Sequence, residues 1–187
     1  AEGRRGGTDL TFSAPKSISM QSLIAGDTRL VEAHDLAVAK TLDYVQGIAA
    51  CRVTEDGRTR PEKSGNLLVA SFRHDLSRAA DPNLHTHAVV INATQRPDGQ
   101  WRALEQTEIY RQQMLIGALY RSELALEVQK LGYEIRSTHA DGRFELAHIA
   151  DRQVEAFSQR SSAIESALAA QGKTRETATA REKEVAT

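Results

Sequence analysis

The chain has 187 residues with ordinary apolar content, few aromatics and a formal net charge of −1, which suits one domain with a real core. That charge balance does not announce a nucleic-acid binder. It does not exclude one either, because a local groove can be basic on a neutral protein, and Arg52 to Arg78 holds six Lys/Arg against four Asp/Glu. Cys51 is the only cysteine, so a disulfide framework and a cysteine-based zinc site are excluded and a reducing, cytoplasmic compartment fits; no run reaches the roughly 20 apolar residues of a membrane span, and no signal peptide is visible.

The chain opens Ala1-Glu2-Gly3-Arg4-Arg5-Gly6-Gly7, without Met, and runs directly into a strand pattern; a preceding segment is expected. From Thr8 to Ser13, Leu10 and Phe12 alternate with Asp9, Thr11 and Ser13, which predicts a strand with one apolar face. Ala14-Pro15 breaks it, and Lys16 to Ala25 predicts a short helix ended by Gly26. Asp27 is a candidate cap for the next helix. Its stripe is Leu30, His34, Ala37, Val38, Thr41, Val45 and Ile48, reaching about Ala50. The charged stretch Arg52 to Gly65 predicts an exposed loop or hairpin.

Two apolar runs follow, Asn66 to His74 and Leu84 to Ile91, separated by the turn signal Asp81-Pro82-Asn83. Being nearly continuously apolar, they predict a sheet covered on both faces. Pro97-Asp98-Gly99 is a turn, and Gln100 to Leu104 predicts a returning strand. A long helix is expected from Thr107 to Leu131, with Met114, Leu115, Ala118, Leu119, Leu126 and Leu131 as its apolar surface and Gly132 after its end. Asp141-Gly142 signals a hairpin between Tyr133–Ser137 and Arg143–Ala147. Two short helices are expected, Asp151 to Phe157 and Ser158 to Ala170. Residues 1–171 then form one domain, and 172–187 read as a polar tail or linker.

The chemistry concentrates in three histidines. His85 and His87 are two apart on a predicted strand, so both imidazoles point to one face. His74 ends the preceding strand. Antiparallel pairing brings all three to one spot, which is how a metal or phosphate site is built. Neutral imidazole is a common ligand for divalent metals, and three neutral ligands leave the ion its full charge, which suits a phosphate substrate. A cupin would place a glutamate soon after the pair, but Ala88 to Gln95 has no acid. A metallo-β-lactamase pattern fails after His87, and an amidohydrolase barrel needs a longer chain. A metal-bound histidine needs an acceptor on its other nitrogen, and Asp9 is a candidate. His34 reads as a satisfied structural histidine. His139, in a hairpin turn, and His148, before a helix, are given no chemistry.

Asp9-Leu10-Thr11-Phe12-Ser13-Ala14-Pro15-Lys16-Ser17, Gly65-Asn66-Leu67, His74-Asp75-Leu76-Ser77-Arg78 and Leu84-His85-Thr86-His87-Ala88-Val89, followed by Leu131-Gly132-Tyr133-Glu134 and Glu155-Ala156-Phe157-Ser158, resemble the MobF conjugative relaxases of the TraI/TrwC type. The resemblance covers nearly the whole chain in order. It implies an α+β, HUH relaxase-type fold: an antiparallel sheet carrying the histidines, flanked by helices, with a cleft for single-stranded DNA. It implies nicking and rejoining of one strand at a plasmid transfer origin through a phosphotyrosine link, with relaxosome accessory proteins as partners. By motif match His74, His85 and His87 are ligands of one divalent metal (Mg, Mn, Zn or Ni), and Asp9 is the acidic residue that orients a ligand histidine or helps deprotonate the tyrosine. The family's nucleophilic tyrosines lie upstream of the Asp9 motif; Tyr44, Tyr110, Tyr120 and Tyr133 match none of them. A partial relaxase domain lacking its N-terminal tyrosine segment is therefore expected. Arg4, Arg5, Lys16 and Arg78 flank the inferred site and are the candidate DNA contacts. A single-stranded DNA-binding module without catalysis, and a histidine-metal phosphoesterase, are the alternatives.

Overall fold

A computed structural model describes residues 6–170, 172–174 and 177–179. Arg4, Arg5 and most of the expected tail lie outside the described residues. In chain order the elements are β1 (Gly7–Ser13), α1 (Lys16–Leu23), α2 (Arg29–Gly47), β2 (Ala50–Glu55), β3 (Arg58–Lys63), β4 (Val69–Leu76) and β5 (Pro82–Ile91). There follow β6 (Thr94–Gln95), β7 (Trp101–Arg102), α3 (Thr107–Arg111), α4 (Gln113–Lys130), β8 (Ile135–Ser137), β9 (Phe144–Leu146), α5 (Asp151–Ala156) and α6 (Gln159–Ala169). Among the described residues no helix is long and apolar enough to cross a membrane.

The central sheet has the order β1-β5-β4, with both pairings antiparallel. On β5, Leu84, Thr86, Ala88 and Val90 are buried, while Asn83, His85, His87 and Val89 are only half-buried. β4 is largely exposed. The sheet is thus covered on one face, not on both as the apolar runs suggested. The buried face rests on α2, whose Leu30, Ala33, His34, Ala37, Val38, Thr41 and Val45 are buried. Helix α1 closes the edge of that core: the Ser19 hydroxyl accepts the Leu84 N–H at 3.0 Å, and the Ser17 hydroxyl accepts the Leu146 N–H at 2.8 Å.

Two expectations shift in detail. The helix expected from Thr107 breaks at Gln112, which ends α3 and precedes α4. The core face of α4 is also different. Ile116, Tyr120, Leu124 and Val128 are buried, while Met114, Leu115 and Leu126 are exposed. Apolar side chains spread nearly evenly around this helix, so ranking them by hydrophobicity does not find the packed row. The i, i+4 spacing from Ile116 does, and it includes a tyrosine. Lys40 of α2 ties the two helices, reaching Glu123 and Glu127 at 2.9 Å each.

The charged stretch after α2 is a hairpin, β2 paired with β3. Its turn places Asp56 at φ 49° and Gly57 at φ 74°, the left-handed pair that a two-residue hairpin turn requires. Helix α2 starts at Arg29, whose N–H is accepted by the Asp27 carboxylate at 3.2 Å. The Asp141-Gly142 hairpin and the two short C-terminal helices form where expected.

Candidate metal centre

Antiparallel register builds the site. His74 pairs with His85, Thr11 with His87 and Ser13 with His85. Directly opposed residues point to the same face, so the three histidines gather on the open side of the sheet. Their ring centroids lie 5.3 Å (His74–His85), 5.5 Å (His74–His87) and 5.1 Å (His85–His87) apart. They line a cavity of about 410 Å³ with Thr11, Ser13, Leu76, Ser77, Arg78 and Asn83.

Two of the rings are held by their Nδ1 atoms. His87 Nδ1 is 2.6 Å from Asp9 Oδ2, and Thr11 Oγ1 stands beside both, 3.2 Å from His87 Nδ1 and 3.4 Å from Asp9 Oδ2. His85 Nδ1 lies 2.7 Å from the Asn83 backbone carbonyl. With each Nδ1–H donated to an oxygen, Nε2 carries the bare lone pair that a cation takes. The donor set therefore fits a divalent ion. Among the described residues no group of three or more His, Cys, Asp or Glu side chains is arranged to hold a metal ion as it stands. His74 and His85 are stacked, 24° from parallel.

Asn83 and Thr11 are contacts the sequence reading did not single out. Each sits two residues from a site residue on the same strand, so period-2 alternation alone could have found them.

The other candidates are placed as follows. Arg78 lines the cavity. Lys16 does not: its ammonium donates to the Pro82 carbonyl at 2.7 Å. Burial lowers its pKa, with Asp81 and Glu145 opposing the shift, so it ties α1 to the start of β5. None of the four tyrosines lines the cavity. The Tyr44 hydroxyl donates to Gln112, Tyr110 meets Thr8 at 3.2 Å, and Tyr133 donates to Asp27 at 2.6 Å. Tyr120 is buried in the core, and desolvation raises its pKa strongly.

His34 is fully buried. Its Nδ1 lies 2.7 Å from the Tyr120 hydroxyl and its Nε2 lies 2.8 Å from Thr86 Oγ1. Burial first, then the charges of Arg73 and His85, push its pKa down to about 4. It is a neutral structural histidine, as its helical position suggested.

The family model for TrwC relaxase matches residues 2–187. The chain belongs to the TrwC relaxase family. The multifunctional conjugation protein TraI of Escherichia coli (strain K12) is 42% identical over 173 residues, which cover 88% of this chain and 10% of TraI. The chain thus spans about a tenth of the length of that relative. Among solved structures, conjugative relaxase TrwC in complex with oriT DNA, metal-bound, superposes with a TM-score of 0.94 at 49% identity, over 98% of this chain and 63% of that one. TrwC complexed with a 27-mer DNA comprising the recognition hairpin and the cleavage site has a TM-score of 0.93 at 46% identity, over 100% of this chain and 71% of that one. The fold is the α+β relaxase fold that the motifs implied.

Proposed function

We propose that this chain is the metal-bearing core of a plasmid conjugation relaxase, which nicks and rejoins single-stranded DNA at a transfer origin by tyrosine transesterification. The observation that carries the reading is the histidine cluster itself. Three imidazoles lie within 5.5 Å of one another on an open sheet face, in a family whose relatives are seen with metal and with oriT DNA.

The residues divide the work. His74, His85 and His87 would hold one divalent cation, whose charge would stabilise a phosphoryl oxygen as negative charge grows on it. Asp9 accepts the His87 Nδ1 proton and so fixes both tautomer and ring angle. The Asn83 carbonyl does the same for His85. Arg78 offers a second positive charge within the same cavity and is the proposed phosphate contact.

In-line attack on the phosphate needs a nucleophile held on the far side from the leaving oxygen. The four tyrosines of this chain are committed elsewhere, so the attacking hydroxyl comes from a tyrosine outside these 187 residues. Relaxosome accessory proteins and a cytoplasmic setting belong to the same reading, as does an ion drawn from Mg, Mn, Zn and Ni.

The test is an origin oligonucleotide incubated with Mn²⁺ and either this chain or a version extended by its upstream tyrosine segment. The extended protein gives a covalent protein–DNA adduct that His87→Ala abolishes. An extended protein that binds DNA yet never forms the adduct leaves only a binding module. Turnover of a small phosphate ester without DNA supports a phosphoesterase instead.

A further inference from the structure

Thr86 lies between two ligand positions in sequence, and its side chain points the other way, into the core. On the sheet it pairs with Arg73. That Arg73–Thr86 rung is flanked by the two histidine rungs, His74–His85 on one side and Phe72–His87 on the other. Helix α2 grips the rung from beneath with two consecutive residues. His34 Nε2 lies 2.8 Å from Thr86 Oγ1 on β5, and Asp35 Oδ2 accepts from Arg73 Nη1 at 2.5 Å on β4. Tyr120 of α4 completes the buried chain, 2.7 Å from His34 Nδ1. His34, Thr86 and Tyr120 are 0%, 4% and 3% exposed.

A buried polar chain of this kind stabilises little compared with an apolar packing of the same volume, because its members lose water on folding. What it supplies is a directional constraint. Sliding or tilting β5 against α2 breaks a hydrogen bond in the buried core, at a rung flanked by the histidine rungs.

We infer that His34, acting through Thr86 and backed by Tyr120, is a positioning residue for the metal centre on the opposite face of the sheet. The inference rests on the metal-centre reading above. It adds three residues that touch neither metal nor DNA.

The experiment is a Co²⁺ titration followed by visible absorption, with thermal unfolding in chelator as the stability measure. It compares wild type with His34→Leu, Thr86→Val and Tyr120→Phe. The control is Thr41→Val, which removes an equally buried hydroxyl of α2 that bonds only within its helix, to the Ala37 carbonyl at 2.7 Å. Loss of the supporting partner is expected to weaken Co²⁺ binding about tenfold and to alter the ligand-field bands in His34→Leu and Thr86→Val. Tyr120→Phe has a smaller effect, and Thr41→Val binds as wild type.

Should His34→Leu fail to fold, Thr86→Val decides the matter, since it replaces one hydroxyl by a methyl of nearly the same size. Folded variants with wild-type affinity and spectrum overturn the inference. So does an equal loss in Thr41→Val, which would mark the effect as general destabilisation. A wild type that binds no Co²⁺ overturns the metal-centre reading itself, a separate result.

Discussion

The Asp9 carboxylate reaches His87 diagonally across the β1–β5 ladder, with Oδ2 2.6 Å from Nδ1. The residue directly opposite His87 is Thr11, and Asp9 pairs with Val89. The contact therefore depends on the sheet's register, which a one-residue slip would destroy by turning Asp9 to the other face.

Replacing His87 with alanine removes one of the three proposed ligands, and stoichiometric metal binding is expected to disappear. Asp9→Ala leaves the ligands in place but frees the ring and its tautomer. A loss of about 10–100-fold in metal affinity is expected. Metal content after dialysis and calorimetric titration measure the two effects. Full-affinity binding by His87→Ala would remove it from the ligand set.

The chain alone is expected to bind single-stranded DNA and to leave it uncut. Affinity should fall as salt rises, because phosphate contacts release counterions. Arg78→Ala should lower the slope of log affinity against log salt by about 0.7 if it neutralises one phosphate. Fluorescence anisotropy across a salt series measures this, and an unchanged slope takes Arg78 off the backbone.

His34 makes folding stability depend on pH. Its folded pKa is held down to about 4, below the roughly 6.5 of a free imidazole. Between those values the unfolded chain takes up a proton that the native chain refuses. The stabilisation is complete above pH 6.5 and is lost progressively as the pH falls toward 4, a change on the order of 3 kcal/mol. Urea unfolding at pH 7.5 and at pH 4.5 should show the drop, and His34→Gln should remove its share. A His34→Gln protein with the wild-type pH dependence would show that His34 titrates normally.

Two neighbouring leucines on α4 test the packed row. Leu124 is fully buried and Leu126 is 46% exposed. Leu124→Ala is expected to cost about 2–5 kcal/mol, and Leu126→Ala roughly 0.5 kcal/mol or less. Denaturant midpoints decide between them. Equal costs would mean that the Met114, Leu115 and Leu126 side of the helix also bears load.

Strand alternation and turn chemistry are local properties, so β1, the two histidine-bearing strands and the hairpin at Asp141-Gly142 were legible in the sequence, while the charged stretch from Arg52 to Gly65 stayed open between loop and hairpin until β2 and β3 paired. His85 and His87 share a face because a strand repeats every two residues, and antiparallel pairing then brings His74 to them. Which face of a sheet or helix meets another element is not a local property. The apolar run of β5 reads the same whether one side is covered or two, and only the placement of α2 left the histidine side open. The near-uniform apolar girth of α4 likewise left its core row to be chosen by packing against α2. The Asp9–His87 bond and the His34–Thr86–Tyr120 chain join residues more than 50 positions apart, and they meet because sheet register and helix position are fixed together when the chain packs.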